Sequence, residues 1–243
     1  GMRVILNPTD GITLKGIIGK QRVFFDLSPG TVRGLDGEVN FTQLLNNCRA
    51  KKDGAGNDST GTDSLQHKPL KTQVILGASF VSKYQQDLDP TLNLPENVGC
   101  GALRLNIIRG GFNFYTEGAY KINDPSYTNG FSFKDGLGLF SSVSYATDLG
   151  LTFLFTGKMI DNMSFRSNRD ATNTIAFINY SPAITKNHTY MMMAYVPYAS
   201  QLNGEAGISG EIQYKFKKGS FLGGKYGMEV SLNSSLMFAP DTT

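Results

Sequence analysis

The stretch 102–122, ALRLNIIRGGFNFYTEGAYKI, decides the fold. Leu103, Leu105 and Ile107 lie on one parity, with Arg104 and Asn106 on the other. After Gly110-Gly111 the pattern resumes, and Phe112, Phe114, Thr116, Gly118, Tyr120 and Ile122 alternate with Asn113, Tyr115, Glu117, Ala119 and Lys121. A period of two marks strands with two unlike faces. Two glycines between such runs predict a two-residue hairpin turn, because glycine accepts positive φ at either position. That turn sets Arg109 against Phe112, Ile107 against Phe114, Asn106 against Tyr115 and Arg104 against Glu117. Apolar then meets apolar and opposite charges face each other; a one-residue slip would mix the faces.

The same logic extends outward. Leu137, Leu139, Val143 and Tyr145 share a parity with Leu151, Phe153 and Phe155, so a loop of odd length joins them; Asp148-Leu149-Gly150 fits, with Gly150 left-handed. Further strands are expected at 172–181, 188–198, 206–217 and 225–238. Before them, strands read at 2–6, 12–18, 20–26 and 31–41, with a turn cluster at Asn7-Pro8-Thr9-Asp10-Gly11. Thr42 to Asn47 suits one helical turn, and 49–68, poor in large apolar groups, reads as a flexible loop. The sum is about thirteen strands and no long helix.

The expected fold class is all-β: an antiparallel up-and-down meander of about 12–14 strands forming a transmembrane-type β-barrel, or part of one, as a single domain over 1–243. Three features favour a barrel over a soluble sandwich. The apolar faces are long. The opposite faces are rich in Ser, Asn, Gly and paired charges, as a wet lumen would be. The tight turns at 110–111 and 148–150 fall on one side, and the longer polar connections at 87–97, 123–135 and 162–171 on the other. The connection 42–71 breaks this rule, being long on the tight-turn side. The alternative is a soluble β-rich, sandwich-like binding module, with glycans as one class of ligand, in which Leu103, Leu105, Ile107, Phe112 and Phe114 would face a second sheet.

Composition agrees with a wall rather than a reaction centre. Of 243 residues, 18% are charged, against roughly 25% in an ordinary soluble domain. A net charge of +3 is too small for a nucleic-acid footprint. Two His and two Cys leave little for a metal centre. No run of about 18 apolar residues supplies a membrane helix, and no signal peptide is visible. The abrupt ends lead us to expect a piece of a longer protein.

Asn7-Pro8 and Gly19-Lys20-Gln21-Arg22, followed by Val32-Arg33-Gly34-Leu35-Asp36-Gly37-Glu38-Val39-Asn40, resemble an uncharacterised family (a domain of unknown function) of Bacteroidetes outer-membrane β-barrel proteins. Tyr214-Lys215-Phe216-Lys217-Lys218-Gly219 and Leu222-Gly223-Gly224-Lys225-Tyr226-Gly227 resemble the same family. The resemblance implies a large barrel in the outer membrane, with no biochemical role attached.

Chemical motifs are weak. Residues 219–225 match G-x-x-x-x-G-K, but Tyr226 follows where magnesium ligation needs Ser or Thr, and a strand follows where a helix is needed. Asp53 to Asp58 lacks the spacing of a calcium loop. His67 and His188 have no evident partner, and Met191, Met192 and Met193 would point to alternate faces of a strand. Cys48 and Cys100 fall at opposite ends of the strands, too far apart for a disulfide. No catalytic, metal or cofactor residue is expected, and the chain reads as non-enzymatic, acting in transport or in the cell envelope. The candidate site residues are the lumen-facing polar ones: Arg104, Asn106, Glu117, Lys121, Glu211, Gln213 and Lys215, with Arg104 expected to pair Glu117. The expected partners are outer-membrane lipid and other envelope proteins, not nucleic acid.

Overall fold

A computed structural model describes residues 1–54, 70–89, 91–172, 175–186 and 200–240, the side chains of 50–54 excepted. Among the described residues, ten antiparallel strands form one sheet in simple chain order. They are β1 (Met2–Thr9), β2 (Ile12–Val23), β3 (Asp26–Asn40), β4 (Thr72–Tyr84), β5 (Asn97–Arg109), β6 (Phe112–Lys121), β7 (Gly136–Ala146), β8 (Leu151–Asp161), β9 (Gly204–Phe216) and β10 (Met228–Phe238). The all-β, up-and-down reading holds; β1 and β10 are not paired to each other, so the sheet is open.

The hairpin read from Gly110-Gly111 has the expected register, with Arg109 opposite Phe112, Asn106 opposite Tyr115 and Arg104 opposite Glu117. Only Gly110 takes positive φ (56°). Gly111 is needed for a different reason: a Cβ there would lie 2.0 Å from Ala146 O, whose residue donates its own N–H to Gly111 O at 2.9 Å. The glycine thus lets the end of β7 close onto the turn. The next hairpin also agrees, with Val143 opposite Phe155, Tyr145 opposite Phe153, and Gly150 at φ 86°.

Two expectations about strand count are corrected. The segment before residue 41 holds three strands, because 12–18 and 20–26 are not separate: β2 runs on to Val23 and turns at Phe24-Phe25. Residues 172–181 form no sheet strand; beyond a single bridge between Arg166 and Phe177, this segment belongs to a long connection between β8 and β9. The strand expected at 188–198, with its methionines and His188, lies outside the described residues, as do His67 and most of 49–68. The described part, 49–54, continues a helix α1 (Phe41–Gly54) rather than a loop. Asn40 caps it by accepting the Gln43 N–H (3.0 Å), and Thr42 ties it to β4 by donating to Thr72 O (2.9 Å) and accepting from Val74 N (3.0 Å). The long connection on the tight-turn side is therefore real and starts as a helix. On the other end lie the β4–β5, β6–β7 and β8–β9 connections, the longer ones as expected.

The sheet has one covered and one bare face. Val4, Ile18, Leu35, Phe80, Leu103, Tyr120, Leu139, Phe155, Ile212 and Leu232, one from each strand, share a face by register and are all exposed. Phe112 and Phe153 lie on it too, at 38% and 42% exposure. Among the described residues no second sheet packs there, contrary to the sandwich alternative. The opposite face carries the buried residues and is crossed by the β8–β9 connection.

Candidate functional site

The described part of the β8–β9 connection, 162–172 and 175–186, leaves Asp161 and runs across the sheet's inner face as a plug. Asn162, Met163, Ser164, Phe165, Arg166 and Ser167 are buried in succession. The segment folds back on itself, with Ser167 N donating to Ala176 O (2.9 Å), Ile178 N to Phe165 O (2.9 Å), and the Arg166 guanidinium 3.9 Å over the Phe177 ring. At one end Gln21 on β2 donates to Phe177 O (2.9 Å) and accepts from Ser167 Oγ (2.8 Å). The Ser28 and Ser167 hydroxyls share a 2.8 Å hydrogen bond. Gly30 on β3 lies so close that a Cβ would stand 1.8 Å from Ser167 O. At the other end Ile184 lies against Gly207 on β9.

These anchors give the sheet its curvature. The seven residue steps from Phe177 to Ile184 can extend at most about 25 Å. In a flat sheet β2 and β9 would stand about 34 Å apart. Strand side chains rise roughly perpendicular to the sheet and add little to that span. The sheet therefore curls around the plug.

Charge fastens the plug's outer rim. Asp124, from the β6–β7 connection, is shared by Lys83 on β4 (2.6 Å) and Lys121 on β6 (3.6 Å), and all three are almost wholly buried. Lys121 also donates to Ser164 O (2.8 Å), and Phe165 lies beneath the Lys83 ammonium at 5.4 Å. Arg169 donates its backbone N–H to Gln85 Oε1 (2.9 Å) and its Nη2 to Gln85 O (3.1 Å) and Pro95 O (3.0 Å). On the far side Lys158 pairs with Glu205, both buried. A buried charge costs several kcal/mol unless paired, so the pairing of each lysine is a condition of the plug's seat.

All seven residues expected to face a lumen lie on this inner face, but with different partners. Arg104 opposes Glu117 in register yet does not bond it; the guanidinium turns the other way, across β4, to Asp36 (2.6 Å), Glu38 (3.4 Å) and Ser79 (2.7 Å). The physical reason is that Asp36, already held by Ser79 (2.7 Å) and Lys15 (3.3 Å), offers a fixed carboxylate. Glu117 instead accepts the Tyr115 hydroxyl. The Asn106 Oδ1 is buried, with no donor among the described residues. Lys121 does not line open space; it is a plug anchor. Glu211 pairs with Lys186 of the plug's end, whereas Gln213 and Lys215 meet Glu229 near the tight turns. Sequence reading missed Lys83, Asp124, Lys158, Glu205 and Arg169. Lys83 and Lys158 were findable, since each sits on the polar parity of an alternating strand.

Between the plug and strands β4 to β8 lies a cavity of about 430 Å³. Its lining includes the apolar Val81, Ala102, Phe140, Ile160 and Phe165, and the polar Ser79, Tyr115, Glu117, Lys158, Asn179, Tyr180 and Ser181. Among the described residues no group of His, Cys, Asp and Glu is arranged to hold a metal. Cys48 is exposed and Cys100 half-buried, and both are free thiols.

A model of a family of unknown function, DUF6029, matches residues 1–242. The chain belongs to that family. No curated protein and no solved structure matches this DUF6029 chain. The match covers both groups of residues that carried the resemblance, 7–40 and 214–227, and attaches no activity to them.

Proposed function

We propose that this DUF6029 chain forms wall and plug of a non-enzymatic β-barrel in a bacterial outer membrane, serving transport or the envelope. The observation that carries this reading is the bare face: exposed large apolar side chains on every one of ten strands, from edge to edge. In water such a face would be an aggregation hazard, because soluble monomers rarely expose apolar patches beyond a few hundred Å². In lipid it is the ordinary outer surface of a barrel. Strand length supports the reading, since nine of the ten strands have 10 to 15 residues and a tilted membrane strand needs about 9–11. So does the covered face, where buried ions and hydroxyls meet a plug instead of a shared apolar core.

A lipid-depth measurement tests it. The chain has no tryptophan, so Leu103→Trp and Asn113→Trp each place one reporter, on the bare and the inner face respectively. In vesicles of brominated phosphatidylcholine the first should be strongly quenched and the second weakly. Equal quenching at both positions, or a protein that stays monomeric in buffer without detergent, would overturn the proposal.

A further inference from the structure

The cavity beneath the plug has a chemical bias. Two charged groups line it, Lys158 and Glu117. Lys158 is saturated: it pairs with Glu205 and donates to Pro182 O (2.9 Å) and Ser200 Oγ (2.8 Å). Glu117 has one partner among the described residues, the Tyr115 hydroxyl, and no cation within bridging distance. Its cross-strand neighbour Arg104 is committed to Asp36 and Glu38. On this stretch of wall three carboxylates, Asp36, Glu38 and Glu117, face two cations, Lys15 and Arg104, and the unmatched charge is the one in the cavity.

The surroundings of Glu117 sharpen the bias. Tyr115 stands two residues away on the same face, and Phe140 is the direct partner of Glu117 on β7. Their rings meet edge to face at 6.2 Å, and both line the cavity. A carboxylate and two aromatic rings converge beside the apolar side chains of Val81, Ala102, Ile160 and Phe165. An anion would be repelled here, and a neutral ligand would leave the carboxylate unpaired in a poorly solvated space. A cation gains from the carboxylate and from the negative ring faces together. The volume of about 430 Å³ suits a small organic molecule.

We propose that this cavity binds a small organic cation, an ammonium group on an apolar body, with Glu117 as counter-ion and the Tyr115 and Phe140 rings flanking it. The site does not depend on lipid around the sheet; it is built from the inner face and the plug alone.

Benzyltrimethylammonium is the probe, titrated calorimetrically into the whole chain in non-ionic detergent at fixed ionic strength, with phenylacetate as the anionic counterpart. Saturable one-to-one binding of the cation is expected, and none of phenylacetate. Glu117→Gln keeps an acceptor for the Tyr115 hydroxyl and removes the charge; it should weaken binding at least about tenfold. Phe140→Leu should weaken it about threefold or more. Tyr115→Phe keeps the ring and frees a carboxylate oxygen, so binding should hold or tighten, which keeps the test decisive should Glu117→Gln fail to fold. Absence of saturable binding below about 10 mM, well under the affinity a built site gives, would overturn the proposal. So would equal affinity in Glu117→Gln, or phenylacetate binding as tightly as the cation.

Discussion

Gly30→Ala is the sharpest probe of how the plug is seated. Gly30 is buried on β3, and its added Cβ would lie 1.8 Å from Ser167 O and 3.4 Å from Ser167 Cα. An ordinary carbon contact needs about 3.5 Å, so the plug must retreat by roughly 1.7 Å at this point. That shift stretches both 2.8 Å bonds made by the Ser167 hydroxyl, to Ser28 and to Gln21, beyond useful length. Two hydrogen bonds at about 1 kcal/mol each, with about 1–3 kcal/mol for the overpacked contact, give a loss of roughly 3–5 kcal/mol. The sign is the diagnostic part. In an extended strand without a neighbour, Gly→Ala stabilises by about 0.5–1 kcal/mol. Gly118→Ala provides that reference, because a Cβ at Gly118 meets nothing within 4 Å. Urea unfolding in detergent should therefore separate the two variants in opposite directions. Amide exchange at Ser167 and Ile178, whose N–H groups bond within the plug, should accelerate only in Gly30→Ala. If Gly30→Ala matches Gly118→Ala in stability and exchange, the plug does not rest on β3.

Other perturbations reach different layers. Leu103→Arg should cost about 2–4 kcal/mol when the protein refolds into vesicles, because the side chain would enter hydrocarbon; a cost within about 0.5 kcal/mol, normal for a surface site in water, would refute a lipid-facing position. Asp124→Asn leaves Lys83 and Lys121 buried without their shared carboxylate and should destabilise by about 3–5 kcal/mol in the same unfolding assay; a change under about 1 kcal/mol would show that the cluster is not buried. Asp89, in the β4–β5 connection, is held below the ordinary carboxylate range by the Thr91 hydroxyl (2.6 Å) and then by the Thr91 amide (2.8 Å). A depressed carboxyl contributes order above its unfolded pKa and loses it as pH falls through the folded one. Carbon-detected titration should place Asp89 below a model aspartate, and Thr91→Val should move it upward; an unmoved midpoint would contradict the hydrogen bond.

The wall was legible in the sequence and the plug was not. Strand pairing follows from parity and turn chemistry, both local, which is why Arg104 opposite Glu117 could be read from Gly110-Gly111 alone. The ion pair expected between them failed because the choice of partner depends on which carboxylate is already fixed, and Asp36 stands two strands away. The segment 162–186 misled in a different way. Its Ser, Asn and Arg residues have the composition of a solvated loop, yet Ser164, Ser167 and Arg169 are buried, because they face a wall that is itself polar. Alternation around Ile175 and Phe177 looked like another strand, but its backbone bonds close back onto 165–167. Period two reports that a segment is extended with unlike sides; it says nothing of which chain it will pair with. The cavity needed both parts in place, so Glu117 could be named from sequence as facing inward, and its lack of a cation only from the structure.

The strictly sequential order of the sheet has a bearing on assembly. Each described strand pairs only with its neighbours among the described strands, so most contacts close short stretches and can form in the order of synthesis. The exceptions are β3 with β4, joined through the 31 residues from 41 to 71, and, longer still, β8 with β9, joined through the 42 residues from 162 to 203. Closing that excursion costs about 2 kcal/mol more chain entropy than closing the four-residue connection between β7 and β8. The first eight strands can zip without it. The final hairpin of β9 and β10 must then wait until that longest connection closes, so the slowest folding phase should report on the seating of the described plug residues 162–172 and 175–186 rather than on any turn.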